Sequence, residues 1–198
     1  MRYAIIGSGA IGTALATQFS RKDINVAIAN TRGPESLGNL VERLGPSIEP
    51  TTIREASKAE LAILAVPFGA VSNVAKAFGK SRPRIVVDAT NAIDFPSFTP
   101  TELGNCDSSS VVADAFDGSI IKKAFNTLPA QVLEDSPEEI GLRRVLFLSG
   151  DSERASNEVS ELVDQLGFSP VYLGKLTQGG RLQQFGGPLM LEIFLRQD

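Results

Sequence analysis

Tyr3-Ala4-Ile5-Ile6-Gly7-Ser8-Gly9-Ala10-Ile11-Gly12 opens the chain as an apolar strand that runs into three spaced glycines and then into a helical pattern. Each glycine has a separate task in bringing a backbone up to a pyrophosphate. Gly7 permits the tight turn, Gly9 lets the chain approach the phosphates, and Gly12 allows close helix-to-strand packing. Ser8, Ala10 and Ile11 lie between them, and the first free N–H groups of a helix over 10–19 point at the anion, where the helix dipole favours negative charge. Leu15, Gln18 and Phe19 fall at helical spacing, so the motif sits between a strand and a helix. The bland alternative is a strand-turn-helix with no ligand.

Residues 26–29 form a second apolar strand, and Asn30 stands at its end. An acid there would bond a ribose 2′-OH and select NAD. The chain instead reads Asn30-Thr31-Arg32-Gly33-Pro34-Glu35-Ser36. Arg32 can grip a 2′-phosphate in forked geometry, Asn30 and Thr31 can donate hydrogen bonds, and a helix starting near Pro34 adds backbone N–H groups and the Ser36 hydroxyl. The cofactor expected is NADP(H), against the alternative of a polar loop whose arginine is merely solvated.

Strand and helix patterns then alternate. Leu37, Leu40, Val41 and Leu44 share a helical face ended by Gly45, and the stretch 48–56 includes another helical turn. Residues 61–66 read as a third strand, apolar on both faces and stopped by Pro67. Val71, Val74, Ala75 and Phe78 make the next helix face, and 85–87 a fourth strand leading to Asp88-Ala89-Thr90-Asn91. The stretch 93–110 is loop-like, a candidate mobile cover, with a helix over 109–116. A fifth strand at 119–125 ends at Asn126-Thr127. A sixth follows at 145–148, then a helix capped by Asp151 or Ser152 that faces Val159, Leu162, Val163 and Leu166 inward, and a seventh, edge strand at 171–173. Repeated βα units with right-handed crossovers imply an α/β, Rossmann-like doubly wound parallel sheet, with ligands at the carboxyl ends of its strands.

The tail, 175–198, reads as helical. Gly179-Gly180-Arg181 opens a helix, Gly186-Gly187-Pro188 interrupts it, and 189–195 is almost wholly apolar. Such a helix must be buried on its own sheet or against a second subunit, and a homodimer through the tail is the favoured expectation. The glycines at 186 and 187 mark either a close approach to substrate or a simple bend.

At 198 residues the chain suits one domain. Its 19 basic and 23 acidic residues give a net charge of −4 without a basic run, which argues against nucleic acid. Apolar segments are short and interrupted, arguing against a membrane, and the first strand occupies the place of a signal peptide, so the chain is expected to be cytoplasmic. The single cysteine, Cys106, excludes an internal disulfide and reads as an inert loop thiol. The absence of histidine removes Ser-His triads, Cys-His pairs, histidine metal sites and an imidazole acid. Asp88 and Asp114 have no companion carboxylate at metal-ligand spacing, so no metal is expected; Asp88 reads best as a partner for a neighbouring turn.

Taken together, Gly7 to Gly12, Asn30 to Ser36, Asp88-Ala89-Thr90-Asn91, Lys123-Ala124-Phe125-Asn126-Thr127-Leu128 and the Gly-Gly-Arg-Leu tail resemble NADP-binding oxidoreductases of the family named for coenzyme F420-dependent NADP oxidoreductase. The resemblance spans nearly the whole chain and implies a Rossmann-like fold. Related domains reduce a deazaflavin, or deliver electrons from NADPH to a flavin in membrane metalloreductases. It implies Ser8, Ala10 and Ile11 at the pyrophosphate, Asn30, Thr31 and Arg32 at the 2′-phosphate, and Ala65, Val66 and Pro67 along the adenosine ribose and diphosphate. Asn91 and Asn126 would approach the nicotinamide. Deazaflavin-reducing relatives carry histidine where this chain has Asn126.

Hydride transfer from nicotinamide C4 to a flavin N5 or deazaflavin C5 needs stacked rings and little acid-base help, which suits a histidine-free chain. Thr90, Asn91 and Asn126 are the candidates to orient the reacting rings, with no obligatory general acid; their alternative role is satisfying strand ends. Two rival readings stand beside an oxidoreductase with a flavin or coenzyme F420 co-substrate: a small imine or keto-acid dehydrogenase completed by dimerisation, and a non-catalytic NADPH-binding redox sensor.

Overall fold

A computed structural model describes residues 1–94, 96–104 and 106–197. The chain forms β1 (Tyr3–Ile6), α1 (Ala10–Arg21), β2 (Val26–Ala29), α2 (Gly38–Leu44), β3 (Ile48–Thr51), α3 (Ile53–Ala56), β4 (Leu61–Leu64), α4 (Val71–Phe78) and β5 (Ile85–Asp88). After them come a ribbon of β6 (Ile93–Asp94) and β7 (Thr99–Pro100), then α5 (Ser108–Ala115), β8 (Ile120–Ala124), α6 (Ala130–Glu134), β9 (Glu138–Glu139), β10 (Leu142–Ser149), α7 (Glu153–Gln165), β11 (Ser169–Tyr172), α8 (Arg181–Gln183) and β12 (Leu195–Arg196).

The main sheet runs β11-β10-β8-β5-β4-β1-β2-β3. From β3 to β8 neighbouring strands are parallel and in register, so Ala29, Ile6, Leu64, Asp88 and Lys123 form one row at the carboxyl edge. Strand order reverses between β1 and β4, and this is where a crevice opens above a doubly wound sheet. Residue alternation divides the core. Ile5, Ile28, Ile63 and Val87 pack with Leu15 and Phe19 of α1 and Val159 and Leu162 of α7. Ala4, Ile6, Leu64 and Val86 pack on the opposite face with Val74 and Phe78 of α4 and Val112 and Phe116. Both faces are therefore covered, which is why these strands read as continuous apolar runs.

The α/β, Rossmann-like, largely parallel sheet is as expected, and two details of the expectation are corrected. The sheet is not parallel throughout: β10 runs antiparallel to β8, while β11 follows β10 in parallel. Only the short α6 separates β8 from the hairpin-like β9 and β10, so no crossover returns the chain to the parallel direction. The stretch 48–56 contains the expected helical turn, α3, preceded by β3 at the sheet edge, which accommodates Pro50 because its outer side needs no ladder donor.

The tail is the second correction. A π-helical turn at Leu176–Gly180 and the short α8 are helical, but 189–195 is not. The chain turns back so tightly at Gly187 that a Cβ there would lie 2.6 Å from the carbonyl oxygens of Arg181 and Leu182, so this glycine makes a bend. Leu191 then takes φ +66°, and Leu195–Arg196 adds antiparallel to β10. Phe194 meets Phe147 edge to face at 5.5 Å, yet Leu191 and Ile193 stay about half exposed. Among the described residues no helix is long and apolar enough to cross a membrane.

Candidate functional site

The turn after β1 is shaped by contacts that exclude side chains. Gly7 has φ +114°, and a Cβ on it would stand 2.0 Å from the Ala65 carbonyl oxygen. A Cβ on Gly12 would stand 2.0 Å from the Gly7 carbonyl oxygen. At Gly9 a Cβ would meet nothing within 4 Å. The first two glycines thus close the backbone on itself, and the third keeps an approach open. Gly9 is also the N-cap of α1, with no side-chain cap and no acid in the first turn, so the first N–H groups are left for an anion. These features fit a dinucleotide diphosphate. Ala10 contributes exposed backbone there, whereas the Ile11 side chain packs onto the core.

A cleft of about 440 Å³ continues from this turn, lined by Gly7, Ser8 and Gly9, by Asn30, Thr31 and Arg32 after β2, and by Ala65, Val66 and Pro67 after β4. Nine of the residues expected at the diphosphate, ribose and 2′-phosphate thus share one crevice, while Ala10, Ile11 and Gly12 do not line it. Its far wall is Ile53 together with Ala70, Asn73, Val74 and Ala77 of α4 and its lead-in, none of which the motifs pointed to. A neighbouring hollow of about 410 Å³ holds Ser36, again with Ser8 and Arg32.

The polar residues at this end are already organised. Asn30 Nδ2 donates to Ser8 Oγ and to Ser36 Oγ, each at 2.9 Å, and Asn30 Oδ1 accepts from the Arg32 backbone N–H at 2.8 Å. The Arg32 guanidinium reaches Ser8 Oγ at 3.5 Å and pairs with no carboxylate among the described residues. An exposed guanidinium that touches only the neutral Ser8 hydroxyl, on a backbone fixed by Asn30, is suited to a phosphate dianion, and the carboxylate that would bind a 2′-OH is replaced by Asn30.

Asn91 and Asn126 line neither hollow. They sit beyond the ends of β5 and β8 and bond to each other: Asn126 Nδ2 donates to Asn91 Oδ1 at 3.0 Å, and Asn91 Nδ2 donates to the Asn126 carbonyl at 2.9 Å. Asn126 Nδ2 also donates to the Gln183 carbonyl at 2.7 Å, while its Oδ1 is buried without a donor. The preceding residue, Phe125, is fully buried at φ +64°, a conformation costly for a bulky side chain and held only by the packing around it. Thr90 is corrected from a direct orienting group to a support. It is 2% exposed, and its hydroxyl donates to Asp88 Oδ1 at 2.6 Å.

Beneath these amides lies a buried ionic cluster whose lysine the motifs gave no role. Asp88 accepts from Lys123 Nζ at 2.9 Å and from Ser109 Oγ at 2.8 Å, and Lys123 also donates to the Thr90 carbonyl. Burial pushes the Asp88 carboxyl up, but the Lys123 ammonium and the Thr90 and Ser109 hydroxyls outweigh it and hold the carboxyl below its ordinary range. Gln183, from the tail, is fully buried and clamps two strands, β8 and β10: Nε2 donates to the Lys123 and Phe147 carbonyls, and Oε1 accepts from Ser149 Oγ at 2.7 Å. One of several glutamines in a glycine-rich tail, Gln183 carries no sequence signal for such a role. A small hollow of about 210 Å³ adjoins this region, between Ala92 and Ser108 on one side and Gln184 and Phe185 on the other, with Cys106 on its rim.

Comparison with known proteins places the site in a lineage. Rat (Rattus norvegicus) metalloreductase STEAP3 is 27% identical over 188 residues, covering 92% of this chain and 36% of that protein. The chain thus spans about a third or less of the length of the curated relatives it matches. The crystal structure of a hypothetical protein from Sinorhizobium meliloti is 44% identical with a TM-score of 0.95, covering 100% of this chain and 96% of that one. A structure from Arthrobacter sp. FB24, provisionally described as an F420-dependent NADP-reductase, shares the fold at 24% identity and TM-score 0.74, covering 89% of this chain and 86% of that one. Residues 2–92, which carry the glycine turn and the loop of Arg32, match the model of the family described as NADP oxidoreductase coenzyme F420-dependent.

Proposed function

We propose that the chain binds NADP(H) in the cleft between Gly7 and Arg32 and passes a hydride between the nicotinamide and a flavin- or deazaflavin-like acceptor of the coenzyme F420 type. The observation that carries the cofactor is Arg32, which pairs with no carboxylate among the described residues and sits in the hydrogen-bonded loop of Ser8, Asn30 and Ser36, where an NAD site would present an acid. When bound, the reduced nicotinamide supplies the hydride from its C4. The protein's part is positional: the α1 N-terminus holds the diphosphate, Arg32 holds the 2′-phosphate, and Asn91, held by the buried Asn126, presents its amide at the strand end beyond. Correct alignment of two bound rings accounts for roughly 7–11 kcal/mol of a barrier in favourable cases. The absence of histidine supports a transfer in which no side chain must donate a proton.

A second reading, a small imine or keto-acid dehydrogenase, is favoured by the size of the hollow lined by Ala92, Ser108 and Gln184, about 210 Å³, which suits a compact substrate better than a tricyclic ring. Pairing of two copies through the tail is supported by its half-exposed Leu182, Leu191, Ile193 and Phe194. The deciding experiment is NADPH oxidation followed at 340 nm with flavins, deazaflavin, quinones, ferric chelates, cyclic imines and keto acids. Turnover with a ring acceptor supports the first reading, and turnover with imines or keto acids alone supports the second. Tight NADPH binding without turnover on any of them would leave a redox sensor.

A further inference from the structure

We propose that Asn73 reads the adenine base of the dinucleotide, an inference that rests on the NADP(H) reading of the cleft. Ala70, Asn73, Val74 and Ala77 recur at helical spacing and together line the cleft as one stripe along α4 and its lead-in. Asn73 is the one polar member of that stripe. With Ile53 on the same wall and Val66 also lining the cleft, this part of the crevice is apolar, unlike the end formed by Ser8, Asn30 and Arg32. Phosphates and ribose hydroxyls are served at the polar end. What remains for the apolar part is the base, a flat group with apolar faces and a polar edge.

The Asn73 side chain is exposed and engages no described residue. A primary amide presents one donor and one acceptor side by side, the complement of the adenine N6 amino group with its adjacent ring nitrogen. Arg32 lines the same cleft, and its planar guanidinium is suited to lie against the face of the base. The amide would thus check the edge while the arginine and aliphatic side chains hold the faces.

The test is calorimetric titration of the wild-type chain and Asn73→Ala with NADP⁺ and with 1,N6-etheno-NADP⁺, whose fused ring removes the N6 donor and blocks N1. Because Asn73 is exposed on a helix and alanine favours helix, the variant should keep its melting temperature. Asn73→Ala should weaken NADP⁺ about five- to tenfold and leave etheno-NADP⁺ unchanged. Equal losses for both ligands, or no loss for NADP⁺, would overturn the assignment while leaving the dinucleotide reading intact. Failure of the wild-type chain to bind either ligand would overturn both.

Discussion

Lys123 holds its ammonium 2.9 Å from the Asp88 carboxylate, with both side chains completely buried at the carboxyl ends of adjacent parallel strands. The pair ties β5 to β8 and, through the Thr90 carbonyl and hydroxyl, fixes the turn that carries Asn91. Two buried charges stabilise only while each satisfies the other, so removing one partner costs more than the pair contributes.

Asp88→Asn should therefore destabilise the fold by about 3–5 kcal/mol in urea unfolding at neutral pH, because the Lys123 ammonium loses its counter-ion. The wild-type pH dependence has a definite sign. The folded carboxyl lies below its unfolded value of about 3.9, so its contribution is complete above that pH and is lost as pH falls through the folded value. Asp88→Asn should remove this acid slope. A variant that kept both the wild-type midpoint and the slope would show the pair to be inconsequential.

Lys122, the neighbour of Lys123 on β8, behaves differently. It is buried on the opposite side, where its Nζ donates to the Ser152 carbonyl and to Ser156 Oγ and stands 6.0 Å from the Tyr172 ring centroid. Burial pulls it down to about 8, only partly opposed by Asp151. A lysine lowered on folding makes stability rise with pH between its folded value and its unfolded value of about 10.4. Lys122→Met should flatten that rise and stabilise the protein at neutral pH by about 1–2 kcal/mol. Thermal unfolding of both chains at neutral and mildly alkaline pH checks this, and a destabilised Met variant would refute it.

The glycine turn offers a paired test. Gly12→Ala drives a methyl group to 2.0 Å from the Gly7 carbonyl oxygen, so it should lower stability severely. Gly9→Ala meets no atom within 4 Å and should leave the melting temperature unchanged, yet weaken NADPH at least tenfold by filling the space the diphosphate needs. Circular dichroism and ligand titration separate the two effects.

The βα units from Tyr3 to Asp88 were legible because local chemistry and long-range packing agree there: glycines sit where carbonyls crowd, and apolar runs fill strands covered on both faces. Asn30, Arg32 and Ser36 could be placed because their distance from the glycine turn is set by one helix and one strand. Past Phe125 the information is tertiary. The direction of β10 depends on how short α6 is, and the charges of Lys122 and Lys123 are tolerated inside a strand only because Ser152, Ser156, Asp88 and Thr90 meet them from far along the chain. The apolar stretch near Phe194 resembles a buried helix in composition, but Gly187 and Leu191 turn it into an edge addition on β10. Gln183 and Asn73 have ordinary neighbours in sequence and acquire meaning only from where they point.

The most direct measurement is the affinity of wild type and Arg32→Ala for NADPH and NADH at one ionic strength. Loss of the guanidinium should weaken NADPH by roughly 10- to 100-fold, the worth of charge-assisted bonds to a phosphate, and change NADH by less than about twofold. Equal losses for the two nucleotides, or a wild-type chain that binds NADH as tightly as NADPH, would contradict a site built around the 2′-phosphate.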